Sequence, residues 1–220
     1  MVYLDFVGSL HGATARDYLE RVNSHDKAAC SETAIQWGAD YWDGDRCFGY
    51  GGYHYDGRWL PVAEAIAAHY GIKPGMTILD VGCGKGFLLH EFTRAVPGVK
   101  IVGLDISEYA VAHAKPEVQP FLSTGSAVDL PFEDNSADFV VSLGTLHNLY
   151  AYDLQTALQE IERVGRGSAY VMIESYRNER EKANLLYWQL TCRAFHTPEE
   201  WEWIFAQAGY RGDYGCIFFE

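Results

Sequence analysis

Residues 78 to 89 read ILDVGCGKGFLL, with glycines at 82, 84 and 86 directly after a short apolar run ending at Val81. Glycines at such a strand end let the backbone turn tightly and approach a ligand where side chains would block it. The spacing is GxGxG, whereas a dinucleotide site calls for GxGxxG with a pyrophosphate on the following helix. Asp80, two residues before the first glycine, suits a ligand carrying positive charge better than a pyrophosphate. Asp105 ends the next apolar run, KIVGLDIS, 23 residues after Gly82. From that place a carboxylate can accept both hydroxyls of a ribose. Further on, His147 follows a third apolar run, DFVVSL. An unperturbed imidazole titrates near neutrality and suits general-base work, though a histidine in a loop can equally serve as an anchor bonded to backbone.

The elements that must hold these residues alternate in type. Candidate strands span 77–81, 100–105, 120–124, 138–143 and 168–174. Helix patterns lie between them at 86–95, at 107–114 with Ser107 as N-cap, and at 153–164, where Leu154, Ala157, Leu158, Ile161 and Val164 recur at helical spacing. This alternation predicts an α/β fold with a parallel sheet and helices on both faces. Ahead of it, ATARDYLERV, KAACSETAIQWGADYW and LPVAEAIAAHYG read as helices. After it, a helix is expected over 177–193. Another follows in HTPEEWEWIFAQAGY, where Thr197 offers an N-cap, Pro198 the first helical position and acidic residues the first turn. A single domain follows over 1–220, divided into a helical N-terminal cap or lid (1–75) and an α/β core (76–220).

The glycine loop, the acidic end of the second strand and the segment GSAVDLPFEDNSADFVVSLGTLHNL, with its LPF turn, together resemble class I S-adenosylmethionine-dependent methyltransferases, in particular their small-molecule branch. The resemblance covers residues 77 to 174 and implies a Rossmann-like sheet with S-adenosylmethionine as cofactor and S-adenosylhomocysteine as product. Residue by residue, it implies that Asp80, Gly82 and Gly84 surround the methionine part and that Asp105 holds the ribose. It places Ile106 on the adenine face, Ser126 and Ala127 at the adenine edge, and Leu143 with Gly144 beside the transferring methyl. Ser126 departs from the pattern, since that position is commonly acidic; Asp129, three residues on, is a substitute acceptor. The family also ends in a strand hairpin, for which YRGDYGCIFFE after Gly209 is short. The missing edge falls to the N-terminal VYLDFV or to a partner chain, and a homodimer is one way to supply it.

Residues 48 to 59, FGYGGYHYDGRW, hold four glycines, three tyrosines and one arginine, and fit neither an amphipathic helix nor a clean strand. N-terminal segments of the resembling enzymes fold over the cofactor. On that pattern Tyr50 and Arg58 meet the cofactor, Arg58 by a two-pronged bond to the methionine carboxylate, while Tyr53 and Tyr55 close over the acceptor. YWDGDR, just upstream, belongs to the same cap. The alternative is a surface loop whose aromatics pack on the domain. Tyr176, Arg177 and His196, after the fifth strand, are further acceptor-binding candidates, as is Glu174. Charged runs at helix starts are also often just solvated.

The chain has 220 residues, enough to bury an ordinary core, and a net charge of −13. That acidity repels a phosphate backbone and argues against nucleic acid as partner. MVYLDFVGSLHG has neither a basic leader nor an uninterrupted apolar stretch, so neither a signal peptide nor a membrane span is expected, and a cytoplasmic location follows. Five widely spaced cysteines without a CxxC pair read as free thiols, with no metal site. The expected activity is methyl transfer to oxygen or nitrogen of a small polar metabolite, a sugar or nucleotide-sugar among them. The alternatives are a non-catalytic methyltransferase-like subunit supporting a partner and, disfavoured by GxGxG, a nicotinamide-dependent oxidoreductase.

Overall fold

Strand β1 (Thr77–Val81) sits at the centre of a sheet ordered β3-β2-β1-β4-β5-β6, with every neighbouring pair parallel. A computed structural model provides the description, which covers residues 1–14 and 16–220. The other strands are β2 (Lys100–Asp105), β3 (Leu122–Thr124), β4 (Phe139–Leu143), β5 (Ala169–Glu174) and β6 (Asp213–Ile217). All six residues of β5 are buried, as a strand covered on both faces requires. One face packs under α5 (Leu60–Tyr70) and α6 (Phe87–Ala95), with Ile66, Leu89 and Phe92 fully buried. Against the other lie α8 (Ala151–Val164) and α10 (Pro198–Ala208), where Leu158, Trp201 and Phe205 are fully buried. Trp203, on the far side of α10, is exposed. Helix α7 (Glu108–Ala112) starts at Ser107, whose hydroxyl accepts the Ala110 amide at 3.0 Å, and α10 starts with a full capping box between Thr197 and Glu200.

Four expected boundaries move. Pro120 has no amide to give a ladder, and the segment around it forms a 3-10 turn, leaving only Leu122–Thr124 as strand. The expected helix over 177–193 contracts to α9 (Glu179–Trp188), capped by Asn178 and ending where Gln189 becomes extended. The helix over 27–42 breaks into α3 (Lys27–Ala34) and α4 (Ala39–Asp43), because Trp37 takes a left-handed conformation before Gly38. In ATARDYLERV, Ala15 lies outside the described residues, and α2 (Tyr18–Asn23) begins only after Asp17, whose carboxylate accepts the Glu20 amide. A short α1 (Gly8–Gly12) precedes it.

The last strand is single, not a hairpin, and the N-terminus covers its edge. Tyr3 pairs in parallel with Tyr214, the Leu4 amide donates to the Tyr214 carbonyl at 2.8 Å, and the Tyr214 amide to the Val2 carbonyl at 3.1 Å. An edge that would invite another chain is thereby occupied from within. Among the described residues, no helix is long and apolar enough to cross a membrane.

Candidate active site

Strand order reverses between β1 and β4, and a crevice opens at the strands' C-terminal ends, where open α/β sheets bind ligands. A cavity of about 420 Å³ lies there. Asp80 and Gly82 of the β1 end line it, with Leu143 and Gly144 after β4, Met172 and Glu174 of β5, and the glycine-tyrosine segment above.

The cofactor end is shaped mostly by backbone. Gly82 has φ +84°, and a Cβ there would collide with the Thr145 side chain. Gly84 has φ +53°, and its Cβ would come within 2.8 Å of the Trp42 ring. Only glycine permits both the turn and the close approach. Asp105 reaches back to this loop, with one carboxylate oxygen accepting the Gly84 amide at 2.7 Å and the other the Ser107 amide at 2.8 Å. Those bonds hold the carboxylate rigid and leave further lone pairs for ligand hydroxyls. Asp80 is buried and accepts no hydrogen bond from any described residue. Burial first, and then the charge of Asp105, push its carboxyl up to about 8. A buried acid without a counter-charge, beside a cradle that a Cβ would fill, fits the positively charged part of S-adenosylmethionine. Ile106 is exposed, leaving an apolar side chain free for a flat ring, whereas Ser126 and Ala127 are half-buried. These three, like Asp105, lie outside the walls of the main cavity. Asp129 is exposed in the turn closed by its amide on the Ser126 carbonyl.

The segment over 48–59 folds back on α4. The Tyr50 amide donates to the Tyr41 carbonyl and the Tyr53 amide to the Trp42 carbonyl, both at 2.9 Å. Trp42 is buried, stacks on Tyr50 at 5.3 Å, and donates from its indole nitrogen to the Ser107 hydroxyl at 2.9 Å. Asp43 clamps this cap to the cofactor loop, taking Lys85 Nζ on both oxygens at 2.7 Å and the Tyr109 hydroxyl at 2.9 Å. Burial pushes the Asp43 carboxyl up, but the Lys85 and Tyr109 hydrogen bonds prevail and hold it below its ordinary value. Tyr50, Tyr53 and Arg58 all line the cavity, Tyr53 stacked on Phe87 at 4.9 Å. Arg58 is also ion-paired with Asp56.

Four expectations on the acceptor side need correction. Tyr55 points away, donating to the buried carboxylate of Glu91 at 2.6 Å, because that acid needs a partner. Tyr176 is buried in a separate apolar cluster with Leu185 and Phe219. Arg177 is held by Glu181 and Glu220 over the Phe218 ring. His196 packs edge-on against Trp201 at 5.3 Å, 3.7 Å from Glu200. None of the four lines the cavity.

His147 does line it, but not as a free imidazole. Its Nδ1 accepts the Glu174 amide at 3.3 Å, so the neutral ring carries its proton on Nε2, which lies 3.4 Å from Glu174 Oε2. Burial pushes the imidazole down to about 3 and the Glu174 carboxyl up to about 8. The proton-handling capacity near neutrality therefore sits on Glu174, oriented by His147 and by Gln189, which donates to Oε1. Oε2 has no hydrogen-bond partner among the described residues. Asp43 and Lys85 carry no sequence mark beyond the position of YWDGDR beside the glycine-tyrosine run and that of Lys85 between Gly84 and Gly86.

Residues 72–209, more than half the chain, match the model of the methyltransferase domain family. Among the relatives, a demethylmenaquinone methyltransferase of Symbiobacterium thermophilum is 33% identical over 128 residues, covering 54% of this chain and 50% of the relative. A tRNA (carboxymethyluridine(34)-5-O)-methyltransferase of Arabidopsis thaliana is 28% identical over 145 residues, covering 66% of this chain and 34% of the relative. The chain thus matches half or less of the length of these two relatives. The solved YcgJ protein of Bacillus subtilis shares the fold with TM-score 0.56 at 21% identity, over 70% of this chain and 68% of that one. The family match, which spans the glycine loop and all but the last strand of the parallel sheet, identifies the chain as a member of the class I S-adenosylmethionine-dependent methyltransferases.

Proposed function

We propose that the chain methylates an oxygen or nitrogen atom of a small polar metabolite enclosed beneath the cap. The observation that carries this reading is the buried Glu174 Oε2, unpartnered in a lidded cavity that also contains the Asp80 and Gly82 loop. When bound, S-adenosylmethionine supplies an electrophilic methyl on a sulfonium, whose sulfur keeps the electron pair of the broken bond. The protein's part is to bring the acceptor into line, exclude water and take the acceptor's proton. Trp42, Tyr50 and Tyr53 roof the site, and the Asp43 clamp holds them down. Glu174, in its ionised form, takes the proton on Oε2 as the acceptor's lone pair forms the new bond to carbon. A carboxyl near 8 is matched to that task at neutral pH. His147 is a positioning residue, its Nδ1 holding the Glu174 amide and its Nε2 lying 3.4 Å from Oε2.

A sugar or nucleotide-sugar suits a wall that mixes aromatic rings with Asn148, Glu174, Gln189 and Thr191. The relatives include an enzyme named for tRNA, so family membership does not carry the exclusion of nucleic acid; the net charge of −13 and the cavity volume of about 420 Å³ support a small acceptor. We place the chain in the cytoplasm as one catalytic domain with an N-terminal lid.

The test is an acceptor screen that follows S-adenosylhomocysteine release, with Glu174→Gln beside the wild type. The expected result is turnover lowered roughly 100-fold or more in the variant, the usual loss on removing a general base, with cofactor affinity retained. Equal turnover in both proteins would remove Glu174 from the chemistry.

A further inference from the structure

Three arginines that the mechanism leaves unused crowd around one ring. The guanidinium carbons of Arg16, Arg21 and Arg46 lie 5.4, 5.2 and 5.2 Å from the centre of the Trp188 ring. Two come from the N-terminal segment and one from the cap, and all three line the same cavity as Glu174. In a chain with 30 acidic and 17 basic residues, an arginine ordinarily finds a carboxylate. Six do, namely Arg58, Arg94, Arg163, Arg166, Arg177 and Arg211, while Arg180 and Arg193, which do not, are exposed and lie outside the cavity.

No such partner is recorded for these three among the described residues. Arg16 donates to the carbonyls of His11 and Thr14 and approaches His11 Nδ1, while its Nε is buried without any partner. Arg21 donates to the Trp188 carbonyl at 3.4 Å and the Arg46 carbonyl at 2.6 Å. Arg46 donates only to the Gly49 carbonyl. The carbonyls are neutral, and although Arg16 feels the charge of Glu174 and Arg21 that of Asp45, no carboxylate among the described residues pairs with any of the three. Stacking on an indole recovers part of the cost, yet like charges this close, two of them on half-buried residues, repel one another. Burial lowers the proton affinity of all three, and Arg46 lowers that of the other two. Lys27, close enough to feel Arg21, adds to the same positive field. An anionic oxygen group removes this conflict, since guanidinium forks match carboxylate and phosphate geometry.

We infer that Arg16, Arg21 and Arg46 form an anion subsite, and that the methyl acceptor carries a carboxylate or phosphate group that docks there. The word acceptor rests on the methyl-transfer reading; the anion subsite does not. With the charged group anchored on the arginines, the atom to be methylated is left to face Glu174 across the cavity.

The full chain is titrated calorimetrically with inorganic phosphate, benzoate and the neutral benzamide, each with and without saturating S-adenosylhomocysteine. At least one anion is expected to bind ten or more times more tightly than benzamide, and to lose at least tenfold in Arg46→Gln and Arg21→Gln. Preference for phosphate or for benzoate tells which anionic group the subsite takes. Arg21 bonds two backbone carbonyls, so Arg21→Gln risks the fold; Arg46 is exposed and bonds one, and its variant carries the test alone if needed. Retained S-adenosylhomocysteine affinity shows that a variant is folded. Anions binding no better than benzamide, or equally in wild type and Arg46→Gln, overturn the inference. Anion binding by a protein that takes no S-adenosylhomocysteine overturns the methyl-transfer reading and leaves the subsite standing.

Discussion

The two ends of the cavity are made in different ways. At the cofactor end, the ends of β1 and β4 present a glycine turn, the Asp80 carboxylate and a second small-residue turn, with Asp105 of β2 outside the wall, all within 77–144 of the chain and all fixed by sheet register. At the acceptor end, the walls are side chains from far apart in sequence: Arg16 and Arg21 from the N-terminus, Tyr41 and Arg46 from the cap, His147 after β4, Glu174 on β5 and Trp188 on α9. A site of the first kind is specified locally and tolerates little change. One of the second kind can be rebuilt residue by residue while the scaffold stays, and that freedom lets one fold serve many acceptors.

The sharpest way to break this contrast is at Asp105. Each hydrogen bond to a charged group contributes about 1.5–3 kcal/mol, so losing the ribose contacts and the anchored Gly84 amide predicts that Asp105→Ala weakens S-adenosylmethionine binding by roughly 100-fold or more. Calorimetric affinity within threefold of wild type would mean that the cofactor end is not where β2 meets the loop.

A smaller effect separates the ends by pH. Because the Asp80 carboxyl is raised to about 8 in the folded protein, the stability it contributes is complete at acidic pH and is lost as pH climbs through 8. The melting temperature of the free protein should therefore fall between pH 5 and 9. A cation prefers the ionised form, so S-adenosylmethionine affinity should rise by up to about tenfold per pH unit below 8 and then level off. Asp80→Asn should abolish that slope in affinity. Glu174 also sits near 8, so part of the melting trend should survive the substitution.

The smallest effect comes from the part of the aromatic segment that faces away. Tyr55 bonds Glu91 and Arg94 outside the cavity, so Tyr55→Phe should leave turnover within twofold and lower the urea midpoint only slightly. A tenfold loss of turnover with unchanged stability would put Tyr55 back over the acceptor.

The strands β1 and β2, the Ser107 and Thr197 caps and the glycine loop were all legible, because each is set by neighbours within a few residues: apolar runs, capping side chains, glycine where a Cβ has no room. Asp80 and Asp105 were legible for the same reason, since a strand end fixes which way a side chain faces. Tyr53 was separable from Tyr55 only in the fold, where Phe87 stacks on one and Glu91 takes the hydroxyl of the other.

By itself, then, the sequence determined an α/β methyltransferase scaffold and its cofactor loop, through local periodicity and backbone conformation. Only the tertiary structure decided that VYLDFV closes the β6 edge, that Asp43 clamps Lys85, that burial holds the His147 imidazole low and the Glu174 carboxyl high, and that three arginines meet at Trp188. Each of those depends on contacts between residues tens to hundreds of positions apart, and on a degree of burial that no local pattern encodes.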